Sequence, residues 1–159
     1  MASIVISGDT SGTVTLQAPA TSGSTILTLP STSGTVITTS TGQVLTNPTI
    51  TNYTESVVAI GTVTTASTIN LTLGTVQTAT LTASTACTFT MPTATAGKSF
   101  ILLLRQAAVT GNGTATFTGV KWNTGGAPTI TAAAGKMDIL SFVSDGTNWY
   151  GSFTQGFTP

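Results

Sequence analysis

The chain has 159 residues, with four basic and four acidic side chains, no histidine and a net charge of zero. Charged residues make up 5% of it, where ordinary globular proteins carry about 25%. This excludes a basic nucleic-acid surface, a polybasic membrane contact and, for want of histidine, a Ser-His-Asp triad.

Threonine supplies about a quarter of the residues. Its β-branched side chain favours strands, and its hydroxyl keeps a solvent face wet without charge. A surface with so little charge repulsion tends to associate, and unprotected β edges add to the tendency. Assembly is therefore the expected state, ahead of a secreted Thr/Ser-rich protein kept soluble by hydroxyls. The opening MASIVIS has no basic stretch leading into a long apolar run, so a secretory signal is not expected.

Residues 11 to 36 read SGTVTLQAPATSGSTILTLPSTSGTV. Ser-Gly recurs at Ser11, Ser22 and Ser33, proline at Pro19 and Pro30, and leucine at Leu16 and Leu27. A unit of about eleven residues is thus repeated. Glycine, proline and β-branching exclude a helix. An uninterrupted odd repeat would turn a strand's apolar face over at each unit. The Pro and Ser-Gly breaks let the chain re-aim, giving a series of short extended pieces. Ordering some forty such residues costs on the order of 40 kcal/mol or more, and each buried aliphatic side chain returns only about 1.5–3 kcal/mol. This arm, residues 1–47, needs something to lie on. Val14, Leu16, Leu27 and Leu29 are the candidate plugs of its interface.

Thr46-Asn47-Pro48-Thr49 is a turn signal and the expected boundary with a domain over residues 48–159. Strands are expected at 56–63, 68–73, 76–82, 87–91, 99–105, 114–122, 128–131, 138–145 and 147–153. Asp145-Gly146 between two alternating runs is a hairpin sign. Short strands at regular spacing predict an all-β chain: an extended amino-terminal β arm, then a compact β-sandwich of jelly-roll type. SFILLLR, residues 99–105, is expected at the centre, covered on both faces. Its apolar run is too short to span a bilayer.

No cofactor, metal site or enzymatic activity is expected. The single cysteine, Cys87, alternates with Phe89 and Met91 and reads as a small core residue. Without histidine it makes neither a thiol protease nor a zinc site. Asp138 and Asp145 bracket one strand. A glycosidase pair stands about 5–10 Å apart, whereas seven extended residues place these about 23 Å apart. Trp149 and Tyr150 are candidate glycan contacts. As neighbours on a strand they point to opposite faces, so at most one enters the core; Trp122 is expected to pack in the hairpin or the core. The triplets Thr78/Thr80, Thr88/Thr90 and Thr116/Thr118 suit an ice-binding face only if a solenoid ranks them at one fixed period, and the eleven-residue period ends near Asn47.

GDTSGTVTLQAP, LTLP and SGTV resemble the opening segments of many tailed-phage virion proteins. VKWNTGGAPTITAAAGKMDILSFVSDGTNWYG resembles a β-domain recurring in phage tail-fibre and head-decoration proteins. Together the matches cover most of the chain. The resemblance implies a non-enzymatic virion component, usually trimeric, that meets the major capsid protein and copies of itself, with no nucleic acid or membrane as partner. A capsid decoration (cement) protein on the outer capsid surface is the first expectation. A short tail or head fibre binding a host glycan is the alternative, and an ice- or surface-binding protein a remote one. Tail fibres are commonly longer and carry a tail-attachment region that is not recognisable here.

Overall fold

The structure is a computed structural model and describes residues 3–7, 10–17 and 49–159. Every regular element among them is a β-strand. Contacts divide the chain into two units, Met1–Thr49 and Ile50–Pro159.

In the first unit β1 (Ser3–Ser7) pairs antiparallel with β2 (Thr13–Gln17). The register sets Leu16 opposite Ile4 and Val14 opposite Ile6. Ile4, Val5 and Ile6 are each more than half exposed, so both faces of β1 present aliphatic side chains to solvent. A lone two-stranded ribbon is marginal in water. Leu27 and Leu29 lie outside the described residues.

The second unit begins with three similar passages. β3 (Val57–Val63) is followed by β4 (Ala66–Thr68), β5 (Val76–Leu81) by β6 (Ala86–Thr90), and β7 (Ser99–Arg105) by β8 (Thr114–Thr118). The first strand of each passage enters a six-stranded sheet and the second a three-stranded sheet. β3, β5 and β7 run parallel, as do β4, β6 and β8. The passages therefore stack as rungs of about eighteen to twenty-eight residues. Their corners stack too: Thr88 N donates to Thr65 O at 2.8 Å, and Thr114 N to Thr85 O at 2.9 Å. β9 (Val120–Lys121), β10 (Met137–Ser144) and β11 (Trp149–Phe157) complete the larger sheet in the order β3-β5-β7-β10-β11-β9. β10 lies antiparallel to both β7 and β11.

The all-β expectation holds, but the arrangement is solenoid-like and not a jelly roll. Jelly rolls pair antiparallel strands through Greek keys, whereas each strand of the first two rungs pairs parallel with its counterpart one rung later. Alternation identifies a strand and its buried face equally well in either design. Three strand expectations also move: 114–122 breaks at Gly119 into β8 and β9, which lie in different sheets. PTIT at 128–131 is a loop, and TINLTL at 68–73 becomes a loop behind the short β4.

The core lies between the two sheets. β5 turns Gln77, Ala79 and Leu81 inward, β7 turns Phe100, Leu102 and Leu104, and β10 turns Leu140 and Phe142. Cys87, Phe89 and Phe117 meet them from the three-stranded sheet. Phe89 stacks on Phe117 at 5.3 Å between centroids, and Phe100 on Phe142 at 4.6 Å. Trp122 joins this cluster edge-on, 5.9 Å from both Phe117 and Phe142. A Cβ on Gly151 would sit 2.5 Å from that indole, so only glycine lets the ring lie flat against β11.

Candidate functional site: the outer face of the six-stranded sheet

The even positions of β7 are buried, so its odd positions, Ile101 and Leu103, point away from the core. The registers carry that outer face across the sheet. Val57 and Val76 lie level with Ile101, and Thr78 and Ile139 level with Leu103. Val143 pairs with Tyr150 at one end, and Met137 with Phe157 at the other. Ile101 is 41% exposed, Val57 62% and Val143 52%. The expectation that SFILLLR is covered on both faces is thus corrected. One face is buried, and the other is open in the single chain.

Charges lie at the margins of this face. At the end where β3 begins and β10 finishes stand Glu55 and Asp145, with Lys121 at the corner beside Tyr150. At the opposite end stand Arg105, the last residue of β7, and Lys136, just before β10. Two shallow grooves flank the apolar centre. One of about 440 Å³ runs past Glu55, Ile101, Val143 and Tyr150. The other, of about 380 Å³, runs past Ala59, Leu103, Arg105 and Pro159. Glu55 accepts hydrogen bonds from the Thr75 and Tyr53 hydroxyls, which fixes its carboxylate at the first groove.

Trp149 and Tyr150 separate as adjacent strand residues must. Trp149 is 2% exposed, packs edge-on to Phe100, and donates its indole N–H to Pro92 O at 2.8 Å. A buried indole cannot stack on a glycan, so that part of the expectation is withdrawn. Tyr150 stays on the outer face and donates its hydroxyl to Asp145 Oδ2 at 2.9 Å. That hydrogen bond, with the charge of Asp145, pushes the phenol above its ordinary value.

Neither aspartate is arranged for catalysis. Asp145 Oδ1 accepts from Asn148 N at 2.7 Å and Thr147 N at 2.8 Å, closing the β10–β11 turn and holding its carboxyl below the ordinary value. Asp138 is buried, and burial acts to raise its pKa. Donation from Thr131 N at 2.8 Å, Gly156 N at 3.0 Å and Gln155 Nε2 at 3.1 Å outweighs this, and the net shift is downward. Both oxygens of Asp138 are engaged in tying the 129–131 loop to the end of β11. Cys87 lies in the core, its thiol 3.1 Å from Val63 O.

The three-stranded sheet carries a second ordered surface. Its parallel register ranks Thr68, Thr90 and Thr118 in one row, and Thr88 with Thr116 in the next. This supplies the in-register T-x-T pairs of a solenoid, on a patch only three short strands wide.

Sequence reasoning found Tyr150 but not Ile101, Leu103 or Val143 as a surface, nor Ile4, Val5 and Ile6 in the arm. The signal was present in FILLL, an unbroken apolar run that demands two covered faces. Comparison with protein-family models, curated proteins and solved structures finds no match for this chain.

Proposed function

We propose that the chain is a non-enzymatic virion structural protein of a tailed phage: a decoration protein whose amino-terminal arm binds the outer capsid surface and whose solenoid-like unit projects from it. The observation that carries the reading is the arm's first strand, which leaves Ile4, Val5 and Ile6 exposed on both faces. A ribbon of that kind gains its stability from a surface laid against it. Val14 and Leu16, paired by register with Ile6 and Ile4, and Leu27 and Leu29 further along the arm, are the other plugs of this contact. Several arms engaging together multiply a weak individual affinity. The low charge, the absence of histidine and the phage-like motifs at both ends of the sequence support the same role. Deleting residues 1–45 is expected to release the protein from particles and leave the second unit folded. A truncated protein that still decorates capsids would overturn this reading.

One observation favours the fibre alternative. The Tyr150 groove combines an exposed ring with carboxylate and hydroxyl groups, the chemistry of sugar recognition. That role predicts that purified protein blocks host-cell adsorption, and that Tyr150→Ala abolishes the block. The decoration role predicts unchanged adsorption and lower heat resistance of particles lacking the protein. The threonine rows, as a remote third role, predict thermal hysteresis from the isolated chain.

A further inference from the structure

We infer that Asn112-Gly113 is a self-modification site, an imide-forming joint that the Gln106 side chain holds shut and that reacts when the loop between β7 and β8 opens. The inference concerns this loop alone and does not require the virion role.

Three observations carry it. The first is the dipeptide. Asn112 is the one asparagine in the sequence that is followed by glycine. An asparagine side-chain amide and the next main-chain nitrogen can close a five-membered imide. A following glycine obstructs that closure least, because it has no Cβ.

The second is that the fold dictates both residues. Asn112 stands at φ 57°, where asparagine is favoured among residues that carry a side chain. Gly113 is buried, and a Cβ there would lie 2.6 Å from Thr82 O and 2.9 Å from Leu81 Cβ. The reactive pair is therefore built into the turn.

The third is the guard. Gly113 N, the nucleophile of imide closure, donates to Gln106 Oε1 at 3.0 Å in a buried hydrogen bond. Gln106 Nε2 donates to Gly113 O at 2.6 Å, Asn112 N to Ala132 O at 2.8 Å, and Asn112 Nδ2 to Thr110 O at 3.2 Å. Closure requires the Gly113 nitrogen to lose its proton and to turn toward Asn112 Cγ. Inside the clasp, turning strands buried polar groups. Asn112 itself is exposed, so water is at hand once the clasp lets go.

In the open loop a solvent base takes the Gly113 N–H proton. The nitrogen bonds to Asn112 Cγ, the Cγ–Nδ2 bond breaks, and Nδ2 leaves with a proton as ammonia. Water then adds to one of the two imide carbonyls. Cleavage at Cγ leaves aspartate on an ordinary backbone, and cleavage at the Asn112 main-chain carbonyl leaves isoaspartate. Isoaspartate lengthens the main chain by one carbon ahead of Gly113. Gly113 then no longer fits between Gln106 and Thr82, so the reaction records an opening and prevents the clasp from closing again.

Mass spectrometry of the full-length chain held at mildly alkaline pH tests this, with the same chain unfolded in urea as the reference. Native wild type is expected to deamidate at Asn112 at least about tenfold more slowly than the unfolded chain, since the reaction follows the population of the open loop. Gln106→Leu, folded by circular dichroism, is expected to recover most of that rate. Should this variant not fold, wild type in sub-denaturing urea takes its place, and the rate at Asn112 is expected to rise in step with hydrogen exchange at the Gly113 amide. Chains carrying isoaspartate, returned to native buffer, are expected to keep fast exchange at residues 106–114. The inference is overturned by native wild type that reacts as fast as the unfolded chain, or by folded Gln106→Leu that reacts no faster than wild type. It is equally overturned by a rate indifferent to Gly113 exchange, or by isoaspartate chains with wild-type protection.

Discussion

Asp138 is buried and still ionised at neutral pH because three donors converge on its two oxygens. Its folded pKa lies below the ordinary value of 3.8. The folded state therefore binds this proton less readily than the unfolded chain does. The stability it contributes is complete well above pH 3.8 and is lost as pH falls through the folded value. Asp138→Asn should cost about 1–3 kcal/mol, since one oxygen becomes a donor facing donors. It should also flatten the acid limb of a urea-unfolding series taken from pH 5 to pH 2. Gly151 is constrained by shape instead of charge. A Cβ there would overlap three atoms of the Trp122 ring, so Gly151→Ala should lower stability by about 1–3 kcal/mol, with a fall in melting temperature and altered tryptophan fluorescence. Cys87 and Trp122 were legible as core residues because their chemistry leaves few alternatives. The structural tie made by Asp138 was not legible, since its donors come from positions 131, 155 and 156 and no local pattern announces them.

At the scale of elements, strand identity and the face each strand buries were written in the alternation of VQTATL and FILLL. Which strand becomes a neighbour was not, because a parallel partner lies a whole rung away. The corners carry the information that local patterns lack. Gln106, fully buried at the end of β7, donates from Nε2 to Gly113 O at 2.6 Å and accepts from Gly113 N at 3.0 Å. This two-point clasp closes the loop that leads to β8. Gly113 fits only as glycine, because a Cβ would lie 2.6 Å from Thr82 O of the rung before. Gln106→Leu keeps the bulk and orphans both backbone groups, so it should cost about 2–6 kcal/mol at about 1–3 per unsatisfied group. Hydrogen exchange would report the loss first at residues 106–114, where the amides should exchange faster than those of β5. Gln77 makes a related clasp one rung earlier, donating to Asn70 O and Gly74 O at 3.0 and 2.8 Å. Glutamine at these two buried positions looks like a polar interruption in the sequence, and in the fold it is the tie of each turn.

For the whole molecule, the division at Thr49/Ile50 means the compact unit carries its own core. Residues 50–159 alone should unfold as one cooperative transition, with a midpoint close to that of the full chain in a thermal melt. The parallel strands of its rungs pair with partners about eighteen to twenty-eight residues away, and such non-local parallel pairing is slow to form. Refolding from urea is therefore expected on a scale of milliseconds to seconds, measured by tryptophan fluorescence from buried Trp149. The all-β class could be read from composition and breaks alone, whereas the solenoid-like stacking of parallel rungs could not. The open sheet face could not, because the rule that fills both sides of an apolar strand does not say which molecule does the filling.

The rungs also have an evolutionary consequence. Each presents to the next the same backbone ladder that it receives from the one before, so a tandem copy of residues 76–98 would find ready-made partners on both sides. The molecule could thereby gain a longer stack by one duplication. A single-residue insertion within β5 would invert every side chain after it and destroy the layer. Growth of this molecule is quantised in whole storeys.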